Sequence, residues 1–524
     1  MDERPSPETP APTDSAGLIL IAAVFFAAAS GLVYELVAGA VSSYLLGDSV
    51  TQFSLVIGVF LTAMGLGSYL SRFLRGNLLA WFVGVELLAG LIGGFTGLLA
   101  FAAYAATDHV AGILLLVISV VGTLVGLEIP LVIRILKSSV SLPMNLANVL
   151  SADYVGALAA SLLFPFVLLP HLGLVRAGLL AGLLNVAVGL LVLRRFRVAI
   201  GRPARALTAG AVAAAVLLSA SAVASGQMVS YLENQLYQDE VILARDSAYQ
   251  RIVITRWRGD VRLFLNGHLQ FASVDEYRYH EALVHPAMTF AESRRSVLIL
   301  GGGDGLAAQR VLQYPDLERI DLVDLDPDVT SLFRDREQLA ALNGHALSDP
   351  RVHIHNVDAM RYLETSESVY DVIIADLPDP SEPALGKLYS KSFYDLAGRR
   401  LAAGGVFVTQ ATSPFRSRAA FWCIAETIGA ASAGTGPAAR PLRAFPYHTY
   451  VPTFGTWGFV LAAPRKLDPT ELQLRVPTRY LTDSSVADLF DLPADLGPVP
   501  VPVSHLDDPA VFRLYRDGYH QYLE

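Results

Sequence analysis

Apolar residues run almost unbroken through the first 227 positions, then give way to short alternating and clustered runs. A membrane-crossing helix needs about 20 mostly apolar residues. Seven stretches qualify: 17–40, 51–71, 78–104, 110–134, 146–170, 173–193 and 206–227. They predict an α-helical transmembrane bundle of about seven helices, residues 17–228, behind a Pro-, Asp- and Glu-rich tail, 1–16, that reads as disordered. Small residues recur within them, as in Gly65-Leu66-Gly67-Ser68, and small faces let helices pack closely in lipid. Glu35, Glu86, Glu128 and Asp153 lie in or near these stretches. Most fall close to a stretch end, where capping or pairing with Arg134 or Lys137 is expected; the alternative is a cation path or an amine-binding cavity.

Beyond Gln227 the period changes. Runs at 241–244 and 251–257 alternate, and Asn266-Gly267 is a hairpin signal between 261–265 and 269–272. A small antiparallel β domain over 229–290 follows, closed by a helix from Asp275 to about Thr289. From Ser296 the rhythm becomes strand–helix–strand. Strands are expected at 297–300, 320–323, 352–357, 372–375 and 406–410, with a terminal antiparallel pair from Val451 to Ala462 broken at Gly455. Such alternation predicts an α/β Rossmann-like domain over 291–524, a parallel sheet covered on both faces.

Composition sharpens the division. The chain is 53% hydrophobic and only 17% charged, with mean hydropathy +0.44. Residues 1–228 hold 11 Lys and Arg against 10 Asp and Glu; the rest holds 28 against 38. The acidic second part excludes a nucleic-acid footprint. Cys423 is the sole cysteine, which excludes an internal disulfide and multi-thiolate metal sites. Positive charge marks cytoplasmic loops. Loops after the second, fourth and sixth stretches carry nine Lys and Arg against one, Arg176, in the others. That places the N-terminus inside a cell membrane crossed several times. Whether 206–227 crosses decides the side bearing the second part.

Ligands of a parallel sheet bind beyond the carboxyl ends of its strands, and the acidic motifs all fall there. Gly301-Gly302-Gly303-Asp304-Gly305 follows the first strand of the rhythm. The loop permits close backbone approach, but Leu306 breaks the dinucleotide spacing and Asp304 puts a negative charge where phosphate would sit. An acidic glycine loop suits a cationic, phosphate-free nucleoside such as a sulfonium. Asp324 ends the next strand, in the position that holds ribose hydroxyls; Asp358 is placed to accept from an adenine amino group. The competing reading is that these aspartates cap helices. Asp376 and Asp379, in Asp376-Leu377-Pro378-Asp379-Pro380, put two carboxylates at the mouth of the site. Close carboxylates raise one another's proton affinity and attract an ammonium; one that removes the ammonium proton makes the amine a nucleophile.

Together these motifs resemble the polyamine aminopropyltransferase (spermidine synthase) family over residues 230–463. The matching pieces are Tyr249-Gln250-Arg251-Ile252, Asp275 to Glu281, the glycine loop, Asp324-Leu325-Asp326, Asp358, the Asp376 motif, Gly404 to Gln410, and Val451 to Phe459. The whole chain resembles members with an N-terminal multi-span domain. The resemblance implies a class I methyltransferase-like catalytic domain that transfers an aminopropyl group from decarboxylated S-adenosylmethionine, a co-substrate, to an amine such as putrescine. No tightly bound cofactor or metal is implied. Asp376 would be the general base. Gln250, Gly301, Gly303, Asp304, Asp324 and Asp358 would bind the co-substrate, Asp304 through its aminopropyl amine. Tyr279, His280, Asp379, Gln410 and Phe454 would place the polyamine substrate. Family members are commonly homodimers. The chain departs from the family in Asp324, often Glu there, in Leu306, usually Gly, and in Phe454, often Tyr. Two rival readings remain: a methyltransferase using intact S-adenosylmethionine, and a membrane polyamine sensor or transporter with a binding-only soluble domain.

Overall fold

The computed structural model describes residues 14–46, 49–107, 109–137, 142–237 and 239–523, and divides into two compact units, Met1–Val241 and Ile242–Glu524. The expected tail, 1–16, lies outside the described residues except for 14–16, which are helical.

The first unit is helical among its described residues. Five helices are long and apolar enough to cross a membrane: Gly17–Leu46, Ser49–Phe73, Val110–Leu136, Met144–Arg195 and Pro203–Gly226. Leu78–Gly94 and Thr96–Ala106, bent by 43°, bring the number to six if they act as one span. The expected stretches 146–170 and 173–193 lie in one 52-residue run, Met144–Arg195, in which two helices meet at a kink. Pro165 and Pro170 signal a break. A π-helical turn, Phe164–Leu168, carries the chain past Pro165, and the helix breaks at Gly173, with φ 72° and ψ 175°, at the expected boundary. The last helix extends to Tyr237, beyond the expected boundary at 228.

In the second unit, β1 (Glu240–Asp246), β2 (Arg251–Trp257), β3 (Asp260–Leu265) and β4 (His268–Ala272) form a four-stranded sheet in that order. Asn266 and Gly267 both take positive φ, 49° and 82°, and turn β3 back into β4. The helix Glu276–Phe290 follows. Then come β5 (Ser296–Gly301), β6 (Arg319–Asp324), β7 (Val352–Asn356), β8 (Tyr370–Asp376) and β9 (Leu401–Gln410). A two-residue pair, β10 (Ser432–Ala433) and β11 (Arg440–Pro441), precedes β12 (Arg443–Val451) and β13 (Gly455–Ala463). The large sheet has the order β12-β13-β9-β8-β5-β6-β7. Strands β5 to β9 pair in parallel, while β13 runs antiparallel to β9 and β12. Val297–Leu300 and Val372–Ala375 are fully buried, as strands covered on both faces must be.

The terminal pair begins earlier than the pattern predicted: Val451 ends β12 rather than opening the pair. Pro446 hid the strand, since proline withdraws a ladder donor, but β12 is an edge strand where that loss is tolerated.

Strand order reverses between β8 and β5, and their register pairs Gly301 with Asp376. Gly301 has φ 82°, and a β-carbon there would lie 2.0 Å from the Asp376 carbonyl oxygen. Gly301→Ala is therefore expected to lower the melting temperature of the purified chain, by more than the about 1–3 kcal/mol of left-handed backbone strain alone. Gly259→Ala, at φ 94° but in open space, isolates the strain. Equal shifts for the two variants would contradict the close approach.

Candidate active site

The crevice at the reversal collects the predicted residues from five elements. Gly301 ends β5, Asp324 ends β6, Asp376 ends β8 and Gln410 ends β9, while Tyr279 and His280 come from the helix that precedes β5. The Gly303 N–H donates to Asp324 Oδ2 at 3.0 Å, and the Asp326 N–H to Asp324 Oδ1 at 2.8 Å. A β-carbon at Gly303 would stand 2.6 Å from that same Oδ2, so the absent side chain admits the carboxylate. Asp304 turns its carboxylate back on the Leu306 N–H, 2.9 Å, and the Asn343 amide holds its carbonyl at 2.7 Å.

Asp376 is gripped from two sides. The Tyr279 hydroxyl donates to its Oδ1 at 2.7 Å, and His280 Nε2 stands 3.8 Å from its Oδ2. Behind His280 the chain of contacts continues: Nδ1 meets Glu276 Oε2 at 2.9 Å, and Arg310 meets Glu276 Oε1 at 2.8 Å. Burial favours a neutral Glu276, but His280 and Arg310 outweigh it and hold the carboxyl below its ordinary range. Burial likewise opposes the imidazolium of His280, yet Glu276 and then Asp376 outweigh it and raise its proton affinity. An ionised Glu276 on Nδ1 leaves Nε2 to face Asp376. The Phe454 ring lies 6.2 Å from that of Tyr279 and 5.0 Å from that of Trp457.

Asp379 has different company. Its Oδ2 accepts from the Tyr515 hydroxyl at 3.1 Å and from Thr412 Oγ1 at 3.3 Å, while its buried Oδ1 has no partner among the described residues. Burial lifts its pKa to about 6, and hydrogen bonding from Tyr515, Gln410 and Thr412 only partly offsets that. The rise expected from a neighbouring carboxylate thus has burial as its cause. Gln410 uses its amide on structure: Nε2 donates to the Leu377 carbonyl at 2.7 Å, and Oε1 accepts the Thr412 N–H at 2.9 Å. It shapes the loop that carries Asp379.

Two other predicted residues stand one layer back. Gln250 Nε2 donates to Asp326 Oδ2, 3.0 Å, beside the Ser247 hydroxyl at 2.7 Å, and so ties the β1–β2 turn to the loop after β6. Asp358 caps the helix Ala359–Thr365 through the Arg361 N–H at 3.0 Å and pairs with Lys387, which outweighs burial and keeps its pKa low. The capping reading therefore holds for Asp358 and for Asp326, which caps Pro327–Asp335.

The pattern missed Glu276, Thr412 and Tyr515. Thr412 is a buried β-branched residue at φ 58°. Such strain clusters at functional sites, but dihedrals are not written in composition. Tyr515 arrives from the helix Ala510–Leu523, 136 residues after Asp379.

Residues 276–468 match the family model described as spermine/spermidine synthase domain. "Polyamine aminopropyltransferase 1" of Ralstonia nicotianae is 46% identical over 523 residues, covering 98% of this chain and 97% of that protein. "Polyamine aminopropyltransferase" of Leptospira interrogans is 42% identical over 512 residues, covering 96% and 99%. Among solved structures, a spermidine synthase in complex with the transition state analogue AdoDATO is 27% identical, with a TM-score of 0.42, over 48% of this chain and 85% of that one.

Burial lifts Asp304 to about 7 and Asp324 to about 6. A carboxyl with a raised folded-state pKa stabilises the fold fully below its unfolded value, and that contribution is lost as pH rises through the folded value. The ligand-free chain should therefore lose stability from about pH 4 to 7, and Asp304→Asn should flatten the last part of that slope. Thermal melts across this range check it; identical slopes for parent and variant would contradict the burial of Asp304.

Proposed function

The chain belongs to the polyamine aminopropyltransferase family and is a transferase, and from that premise we propose that it moves the aminopropyl group of decarboxylated S-adenosylmethionine to putrescine, giving spermidine and methylthioadenosine. The observation that carries this reading is Asp376, held between Tyr279 and His280 beside the glycine loop.

The reaction is a displacement at carbon. The lone pair of a neutral amine forms the new C–N bond to the carbon next to the sulfonium. The C–S bond breaks and its pair stays on sulfur, which becomes a neutral thioether. The surplus proton on nitrogen passes to Asp376 Oδ2, the oxygen that faces His280, while the Tyr279 hydroxyl orients Oδ1. Holding amine and carbon in line contributes most to the rate.

In this reading Asp304 meets the aminopropyl ammonium and Asp324 the ribose hydroxyls, with Gly301 and Gly303 giving backbone access. Gln250 acts through the Asp326 loop. Asp358 accepts a hydrogen bond from the adenine amino group, beside Lys387. Asp379 holds the far ammonium of the diamine, with Tyr515 and Thr412 fixing its carboxylate and Gln410 fixing its loop. Phe454 lines the acceptor path through Tyr279. The apolar helices of the first unit support a multi-pass protein of the cell membrane, and the family resemblance supports a homodimer.

Methylthioadenosine release from decarboxylated S-adenosylmethionine and a panel of diamines tests the reading; no release with any amine would overturn it. Asp376→Asn should lose about 10²–10⁴-fold in turnover with co-substrate affinity nearly unchanged, because the amide fills the same space without taking a proton. Turnover equal to the parent's would remove Asp376 from the mechanism.

Asp304→Asn separates the two ends of the co-substrate. It should weaken decarboxylated S-adenosylmethionine by about 1.5–3 kcal/mol, roughly ten- to hundredfold. Methylthioadenosine, which lacks the ammonium, should bind almost as before. Titration calorimetry with both ligands reads the difference, and equal weakening would place Asp304 elsewhere.

A further inference from the structure

Glu86 is fully buried in the helical unit, and neither of its carboxylate oxygens has a hydrogen-bond partner. Glu128, 3% exposed, has an unpartnered Oε1. The Tyr34 hydroxyl and both polar atoms of the Asn185 amide are buried and unpartnered as well. Four helices supply these groups: Asp14–Leu46, Leu78–Gly94, Val110–Leu136 and Leu169–Arg195.

The groups converge. A β-carbon at Gly93 would lie 2.7 Å from the Tyr34 ring, one at Gly90 3.1 Å from Asn185 Cβ, and one at Gly189 3.6 Å from Glu86 Cβ. Glu86, Gly90 and Gly93 are spaced four and three apart, so one helix face carries the carboxylate and the two glycines that admit Tyr34 and Asn185. The helix that carries Glu128 packs against those that carry Tyr34 and Glu86.

A buried polar group without a partner calls for a specific explanation, and a buried carboxyl is tolerated either neutral or answered by a cation. Among the described residues, neither glutamate pairs with Lys, Arg or His. Arg134, the expected partner, donates to the Ser71 and Leu74 carbonyls at 2.6 and 2.8 Å. A hard metal ion asks for about six to eight oxygen ligands around one point, and no three metal-ligating side chains gather among the described residues. Carboxylates on separate helices with apolar walls suit two ammonium groups joined by methylenes.

We propose that Glu86 and Glu128, with Tyr34 and Asn185, form a second amine site, inside the helical unit, that takes the protonated nitrogens of a linear polyamine. The choice of a polyamine rests on the function proposed for the second unit; the site itself rests on the orphaned polar groups. The carboxylates neutralise the nitrogens, and the Tyr34 oxygen and the Asn185 carbonyl accept the remaining N–H donors.

Equilibrium binding of radiolabelled spermidine to the full chain in detergent tests this. The parent should bind at two saturable sites. Glu86→Gln with Glu128→Gln should lose one of them, weakening it about tenfold or more, while still releasing methylthioadenosine. Asp376→Asn with Asp379→Asn should lose the other. If the double glutamine variant loses the transferase reaction as well, Glu128→Gln alone, in a preparation that keeps the parent's melting temperature, carries the test. An isotherm unchanged by the glutamine substitutions would overturn the proposal. Failure of the transferase reading appears separately, as absent methylthioadenosine from the parent.

Discussion

The approach of Gly301 to the carbonyl of Asp376 is the contact on which the second unit's site depends. Parallel pairing of β5 with β8 sets those two residues side by side, and no other side chain fits the 2.0 Å that a β-carbon would leave. From that register everything else takes its place. The glycine loop leaves β5 at the level where Asp376 leaves β8, so the loop's N–H groups and the Asp376 carboxylate share one crevice. The neighbouring register of β6 brings Asp324 under the Gly303 N–H. A one-residue slip would turn these side chains to the opposite face of the sheet.

The crevice so formed concentrates negative charge. Asp304, Asp324, Asp376 and Asp379 enter it, and Arg310 behind them is engaged by Glu276. Burial, more than mutual repulsion, sets the raised proton affinity of Asp304, Asp324 and Asp379. Water is withheld from the ionised form, so a ligand bearing its own positive charge gains more here than it would on an open surface. The histidine is the exception: burial opposes its charge, and Glu276 and then Asp376 outweigh that and raise its proton affinity.

Much of this was legible in the sequence because parallel strands are short, apolar and punctuated by the residue that matters. Val297–Leu300 points to Gly301, and Val372–Ala375 points to Asp376. Roles that depend on who sits opposite were not legible. That Gln410 holds the Leu377 carbonyl and that Asp358 is shared with Lys387 could not be read from the sequence. Thr412 and Tyr515 carry no local signal, since one is marked only by its dihedral and the other reaches Asp379 from far along the chain. In the helical unit, hydropathy located the helices and the break between 170 and 173, where Gly173 leaves helical dihedrals, but not the π-helical turn at Phe164–Leu168 before it. Nor does hydropathy reveal that Glu86 is left without a partner.

The distance along the chain between Asp379 and Tyr515 has a consequence for synthesis. At about 5–20 residues per second, the ribosome adds the tyrosine roughly 7–27 s after the aspartate. During that interval β9, β12 and β13 are added to the strands β5 to β8 already made, yet the carboxylate of Asp379 lacks its Tyr515 donor. The pocket is therefore finished out of order: the sheet exists before the helix that completes its acidic mouth, and a ribosome paused in the last stretch of the message holds a nascent chain with a formed core and an open site.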